Sequence, residues 1–144
     1  LIGEDVLKFL ALGLAMALLA GAANAAPLIL RCDGVNSAVS LNEAPSQANS
    51  FRYYWIANQQ FGRLRPLDNF WHGNICTTAG AACATDDQSY SAAWTDGPAA
   101  VTVQINRKTG RVRETNELST SRITFVGDCA PSADPAQTGA PNKF

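Results

Sequence analysis

The chain reads as an all-β protein: a small antiparallel meander closing into a barrel-like or sandwich domain, preceded by a helical signal peptide. Three observations carry this. Short segments alternating apolar and polar residues recur along the chain, Ala100–Asn106 (AVTVQIN) most cleanly. No stretch after residue 25 keeps a helical period for three turns. Turn signals rich in Gly, Pro, Asn and Asp separate the alternating segments.

The first 25 residues set the compartment. Lys8 precedes an apolar run, Phe9–Gly21 (FLALGLAMALLAG), and Ala23-Asn24-Ala25 follows with the small residues a signal peptidase accepts. The run is too short for the ~20 residues that cross a bilayer. Export with cleavage after Ala25 is therefore expected, to a periplasmic or secreted bacterial location, with no membrane span after cleavage. Glu4 and Asp5 sit badly in a signal, so Val6 reads as the true initiator. The remaining 119 residues divide into a β domain, 26–130, and a C-terminal tail, 131–144, rich in Pro, Ala and Gly. That length supports a single modest core.

The elements follow in order. Pro27–Cys32 (PLILRC) alternates and opens the domain. Residues 42–50 are expected to hold at most a short turn of helix. Ser50–Ala57 (SFRYYWIA) places Phe51, Tyr53, Trp55 and Ala57 on one face and Arg52, Tyr54 and Ile56 on the other. Gly62–Leu67 (GRLRPL) is its partner across a loop at 58–61, with Pro66 marking an edge or a strand end. Residues 68–87 read as one irregular loop. Gln88–Trp94 alternates again, with Tyr90, Ala92 and Trp94 together, and Thr95–Pro98 turns the chain. Val101, Val103 and Ile105 then share a face. Arg107–Gly110 makes a hairpin turn with Gly110 free to take positive φ, and Arg111 and Arg113 point outward around Val112. Ser121–Gly127 is the last strand. The count is six to eight strands.

All four cysteines, Cys32, Cys76, Cys83 and Cys129, lie after the leader, and an exported chain meets an oxidising environment. Three pairings exist and sequence alone does not choose among them. The small residues of Thr77–Ala82 favour Cys76–Cys83 across a tight loop, and Cys32–Cys129 would then tie the first strand to the last. On chain-entropy grounds the short bridge is worth ~2–3 kcal/mol and the long one ~4–5 kcal/mol.

Little in the chain names a reaction. It lacks G-x-S-x-G, S-x-x-K, a Walker loop and G-x-G-x-x-G, so no cofactor is expected. His72 is the single histidine. With Cys76 and Cys83 it offers three metal-ligand types, and with Asp68, Asp86 or Asp87 a catalytic set, but bridged cysteines account for the spacing more simply. An enzyme, hydrolytic or metal-dependent, centred on His72 is the alternative reading. Ten basic and ten acidic residues follow the leader, which argues against nucleic acid as a partner. Arg107, Lys108, Arg111 and Arg113 are locally basic, the pattern of a soluble hairpin tip or of a contact with anionic envelope material. Tyr53, Trp55, Tyr90 and Trp94 are candidate ligand-lining residues, and equally core-filling ones.

Cys32-Asp33-Gly34, the hairpin Ile105-Asn106-Arg107-Lys108-Thr109-Gly110, Gly127-Asp128-Cys129 and the terminal Lys143-Phe144 together make a pattern. It resembles a loose group of small exported proteins of Gram-negative bacteria with C-x-G, I-[ND]-R-x-T-G and G-x-C landmarks. The resemblance covers those landmarks and not the middle of the chain. It implies an exported, disulfide-bonded β domain and brings no activity. The expected role is non-enzymatic binding of a partner or small ligand in the cell envelope, with a structural envelope component as a further alternative.

Overall fold

The computed structural model describes residues 26–65 and 70–135, with the side chains of residue 65 and of 70–72 outside the description. The leader at 1–25, the Val6 start, Asp68 and most of the C-terminal tail lie outside the described residues. Nine strands form one antiparallel sheet: β1 (Leu28–Ser40), β2 (Ser46–Ala57), β3 (Gln60–Arg65), β4 (Phe70–His72), β5 (Ala82–Thr85), β6 (Ser89–Asp96), β7 (Ala99–Asn106), β8 (Arg111–Glu117) and β9 (Ser121–Pro131). Their order across the sheet is β4-β3-β2-β1-β9-β8-β7-β6-β5. The sheet curls until it is nearly closed, so the architecture is a barrel and not a sandwich. The two sheet ends, β4 and β5, do not pair. A 3-10 turn, Ile75–Thr77, spans the seam and packs against β3 and β6.

The structure refines three sequence expectations. Residues 68–87 are not one irregular loop, because they contain β4, the 3-10 turn and β5. Residues 42–50 hold no helix; β2 begins at Ser46, because β1 runs on to Ser40 and offers it a ladder. The strands among the described residues number nine, since β4 and β5 are too short to show alternation.

Hairpin chemistry sets each register. Gln59 takes φ 55° in the two-residue turn joining β2 and β3, and Gly97 takes φ 57° before Pro98 in the turn joining β6 and β7. At the β7–β8 turn Asn106 Oδ1 accepts from the amides of Lys108 and Thr109, each at 2.9 Å. Gly110 adopts φ 74°, and an added Cβ there would stand 2.8 Å from the Cys129 carbonyl oxygen. The same glycine accepts from the Cys129 amide at 2.9 Å.

One face of every long strand lines the lumen. β7 shows this best: Val101, Val103 and Ile105 are buried while Thr102, Gln104 and Asn106 are exposed. Leu30, Tyr54, Ile56, Phe61, Trp94 and Phe125 complete the interior, with Ile75 plugging the seam. The backbones of β1 and β9 approach closely where Gly34 and Gly127 face each other: a Cβ on Gly34 would come within 2.1 Å of the Val126 carbonyl oxygen.

Candidate functional site

Cys32 and Cys129 are register partners on β1 and β9, joined across the ladder with Cα atoms 3.9 Å apart. The Cys129 amide turns to Gly110, so the pair sits at a non-hydrogen-bonded position, where opposite side chains approach closest. Cys76 on the 3-10 turn is joined to Cys83 on β5, which pins the plug to one sheet end. Asn74 prepares this bend: its Oδ1 accepts from the Cys76 amide at 3.2 Å. Neither cysteine of this loop can supply a thiolate while bridged. Among the described residues, no three His, Cys, Asp or Glu side chains gather as metal ligands. The His72 backbone lies on β4 opposite Arg63, and its imidazole is outside the described residues.

A charged cluster fills the middle of the lumen. Glu114 on β8 is fully buried. Its Oε1 accepts from Arg63 Nη2 at 2.7 Å, Asn116 Nδ2 at 3.1 Å and Arg52 Nε at 3.3 Å. Its Oε2 accepts from the Tyr54 hydroxyl at 2.6 Å. Arg52 is also buried; it donates to Asn36 Oδ1 and Ser50 Oγ and lies 4.7 Å from the Phe125 ring centre. Burial and the Glu114 charge push the Tyr54 phenol well above its ordinary range. With four donors on two oxygens, the carboxylate braces β2, β3 and β8 across the barrel. Two buried donors, Arg63 Nε and Trp94 Nε1, have no hydrogen-bond partner among the described residues.

The aromatic residues singled out in the sequence do not converge. Trp94 is inside, its ring 6.4 Å from Phe61. Tyr90 shares that face, nearer one end of the barrel. Tyr53 and Trp55 lie on the outer face, because Arg52, Tyr54 and Ile56 take the inner one. Tyr53 accepts from exposed Arg31, which also pairs with Asp33 at 2.9 Å and holds that carboxyl below its usual range.

The open concavity lies at the Tyr90 end of the barrel. Leu28, Ile56, Phe61 and the Cys76–Cys83 bridge make its apolar side, and Gln60, Thr85 and Arg107 its polar rim. Arg107 lies 4.8 Å from the Tyr90 ring centre and donates to the Asp86 carbonyl oxygen, so its guanidinium is held at the lip. Asp86 is itself fixed by accepting from the amides of Gln88 and Ser89, which lower its carboxyl below the usual range. A second, shallower groove of about 410 Å³ runs over the outer face of β5–β8, from Ala82 to Arg113.

The sequence reading missed Glu114, Arg52 and Arg63 as a set. Its own alternation held the signal. With Arg111 and Arg113 outward, Glu114 must point inward with Val112; Arg52 is likewise in phase with Tyr54. A scan of the chain against protein-family models finds no match, and a search of curated proteins finds no relative.

Proposed function

We propose that this chain is an exported, non-enzymatic binding domain of the bacterial cell envelope, periplasmic or secreted, that takes a small amphipathic ligand bearing an acidic group. The observation that carries the reading is the Arg107 guanidinium stacked on Tyr90 at the lip of a cleft whose walls are Leu28, Ile56 and Phe61. An apolar tail would shed water against those walls while the acid meets the cation. Two disulfides support an oxidising, extracytoplasmic setting. The apolar run Phe9–Gly21 and the A-x-A site at Ala23–Ala25 support a cleaved leader.

The test uses the mature domain with decanoate as probe. Titration calorimetry is expected to show saturable binding, weakened about tenfold by Arg107→Ala, the loss of one charge-assisted contact. No saturation up to millimolar decanoate would remove the ligand reading. Intact mass of the exported protein checks the setting: it should begin at Ala26 and be four hydrogens lighter than the reduced chain.

A further inference from the structure

β2 is longer than the strand beside it. On one side it pairs with β1 from Ser46 to Ile56. On the other, β3 meets it only from Tyr54 to Ala57 and then turns toward β4. Among the described residues, no backbone group accepts from or donates to the outer edge of Ser46–Tyr53; one side chain does, the Arg52 guanidinium donating to the Phe51 carbonyl oxygen at 2.9 Å.

The direction of the outer-edge groups follows from the ladder. The Ile29 carbonyl accepts from the Ser132 amide, on the β9 side. Main-chain groups alternate sides along a strand, so odd-numbered residues of β1 face β9 and even-numbered ones face β2. Their β2 partners, Ser50, Ala48 and Ser46, therefore point inward to the ladder, and Gln47, Asn49 and Phe51 point away from it.

Such an edge is a template for another strand, and proteins usually blunt it with charge, proline or a bulge. Ser46–Phe51 carries no charge and no proline. Ser46 to Asn49 are exposed on both faces, and large apolar side chains are exposed nearby: Val39 is 55% exposed, Leu41 79%, and Phe51 47% with the Arg31 guanidinium 5.0 Å from its ring centre. The terminal edges are different, since β4 has three residues and β5 four, and β5 is tied to the seam plug by Cys76–Cys83.

We propose that this edge pairs antiparallel with the same edge of a second copy, making a two-fold dimer whose sheet runs from one barrel into the other. Centring the axis on Asn49 uses all three outward-facing residues: Asn49 meets Asn49 of the second copy, and Gln47 meets Phe51. Residues of like face are then opposed, as an antiparallel ladder requires. No side chain of Ser46–Phe51 is itself charged, so nothing within the ladder repels the second copy, and the Phe51 carbonyl, which accepts from Arg52, keeps a second lone pair for the opposed Gln47 amide. A short edge buries less than the ~1,000 Å² of a durable interface, so dissociation on the order of 100 µM is expected.

Sedimentation of the mature domain from micromolar to millimolar concentration tests this. The wild type should pass from monomer to dimer across that range. Asn49→Lys and Asn49→Glu should each stay monomeric, because like charges would stand directly opposed, and an equimolar mixture should dimerise again. Both substitutions are on the exposed edge, and their unchanged melting confirms folding. A wild type monomeric at every concentration overturns the proposal, whether the edge is then free or held by another protein's strand. A dimer that persists in both variants, or a mixture that stays monomeric, also overturns it.

Discussion

The Tyr54 hydroxyl donates to Glu114 at 2.6 Å across 60 residues of chain, joining β2 to β8 through the lumen with β1 and β9 lying between them in the sheet. With Arg52 and Arg63 on the other oxygen, it turns a curled sheet into a braced one. Removing the carboxylate strands two guanidinium groups in the interior. Glu114→Ala should cost about 3–5 kcal/mol, and Tyr54→Phe, which leaves one carboxylate oxygen buried without its donor, about 1.5–3 kcal/mol. Urea denaturation checks both. A Glu114→Ala domain with the wild-type midpoint would show that the cluster does not brace the barrel.

The same phenol governs the alkaline limit. In the folded state its ionisation lies well above the ordinary value of 10.0. Below that pH the hydroxyl is protonated whether the chain is folded or not, and its contribution is complete. Above it the unfolded chain releases the proton and the folded one retains it, so stability falls as pH rises. Thermal melts between pH 9 and 11 (about one unit either side of the free phenol) should show this decline, and Tyr54→Phe should flatten it.

Asp86 acts at the acid end with the opposite sign. Its lowered ionisation, from the Gln88 and Ser89 amides, contributes stability above the ordinary value of 3.8 and loses it as pH falls further. Asp86→Asn should melt slightly below the wild type at neutral pH and converge with it at low pH, so that its acid limb is less steep.

Gly34 and Gly127 should tolerate no side chain. The Cβ of Gly34→Ala would need the Val126 carbonyl to move from 2.1 Å, and that of Gly127→Ala would meet the Asp33 carbonyl oxygen at 2.5 Å. Each obstacle is backbone and cannot swing aside. Either variant should lose cooperative unfolding or drop in yield severalfold, as seen by circular dichroism and by the fraction of fully oxidised protein. A Gly34→Ala domain that melts like the wild type would contradict this packing.

The two bridges should differ in worth. The one closing the 97-residue separation removes more freedom from the unfolded chain, about 4–5 kcal/mol, than the one closing a separation of 7, about 2–3 kcal/mol. Replacing Cys76 and Cys83 together by serine should leave a folded barrel with a lower midpoint. Replacing Cys32 and Cys129 should cost more, in part because Cys32 is fully buried.

The legible parts of this fold are those in which one strand carries its own evidence. Val101, Val103 and Ile105 alternate so regularly that their face was plain, and Arg107–Gly110 announced its turn. The inner and outer faces of β2 were also separable, since Arg52, Tyr54 and Ile56 are in phase. What the sequence could not say is which face looks inward, because Phe51, Tyr53 and Trp55 are as apolar as their neighbours. Glu114 decides it, and its partners on β2 and β3 lie 51 to 62 residues away. β4 and β5 escaped notice because three or four residues are too few to display a period. The cleft draws on residues from Leu28 to Arg107, so no local pattern marks it.

β1, the first of the described strands to be made, lies hydrogen-bonded to β9, the last of them. A chain that leaves a ribosome or threads a pore N-terminus first has no partner for that side of β1 until some hundred residues later, and no partner for Cys32 until Cys129 arrives. Delay is thus built into the topology: the barrel cannot assemble piecemeal during synthesis, and the nascent polypeptide stays slack enough to be passed along before it locks.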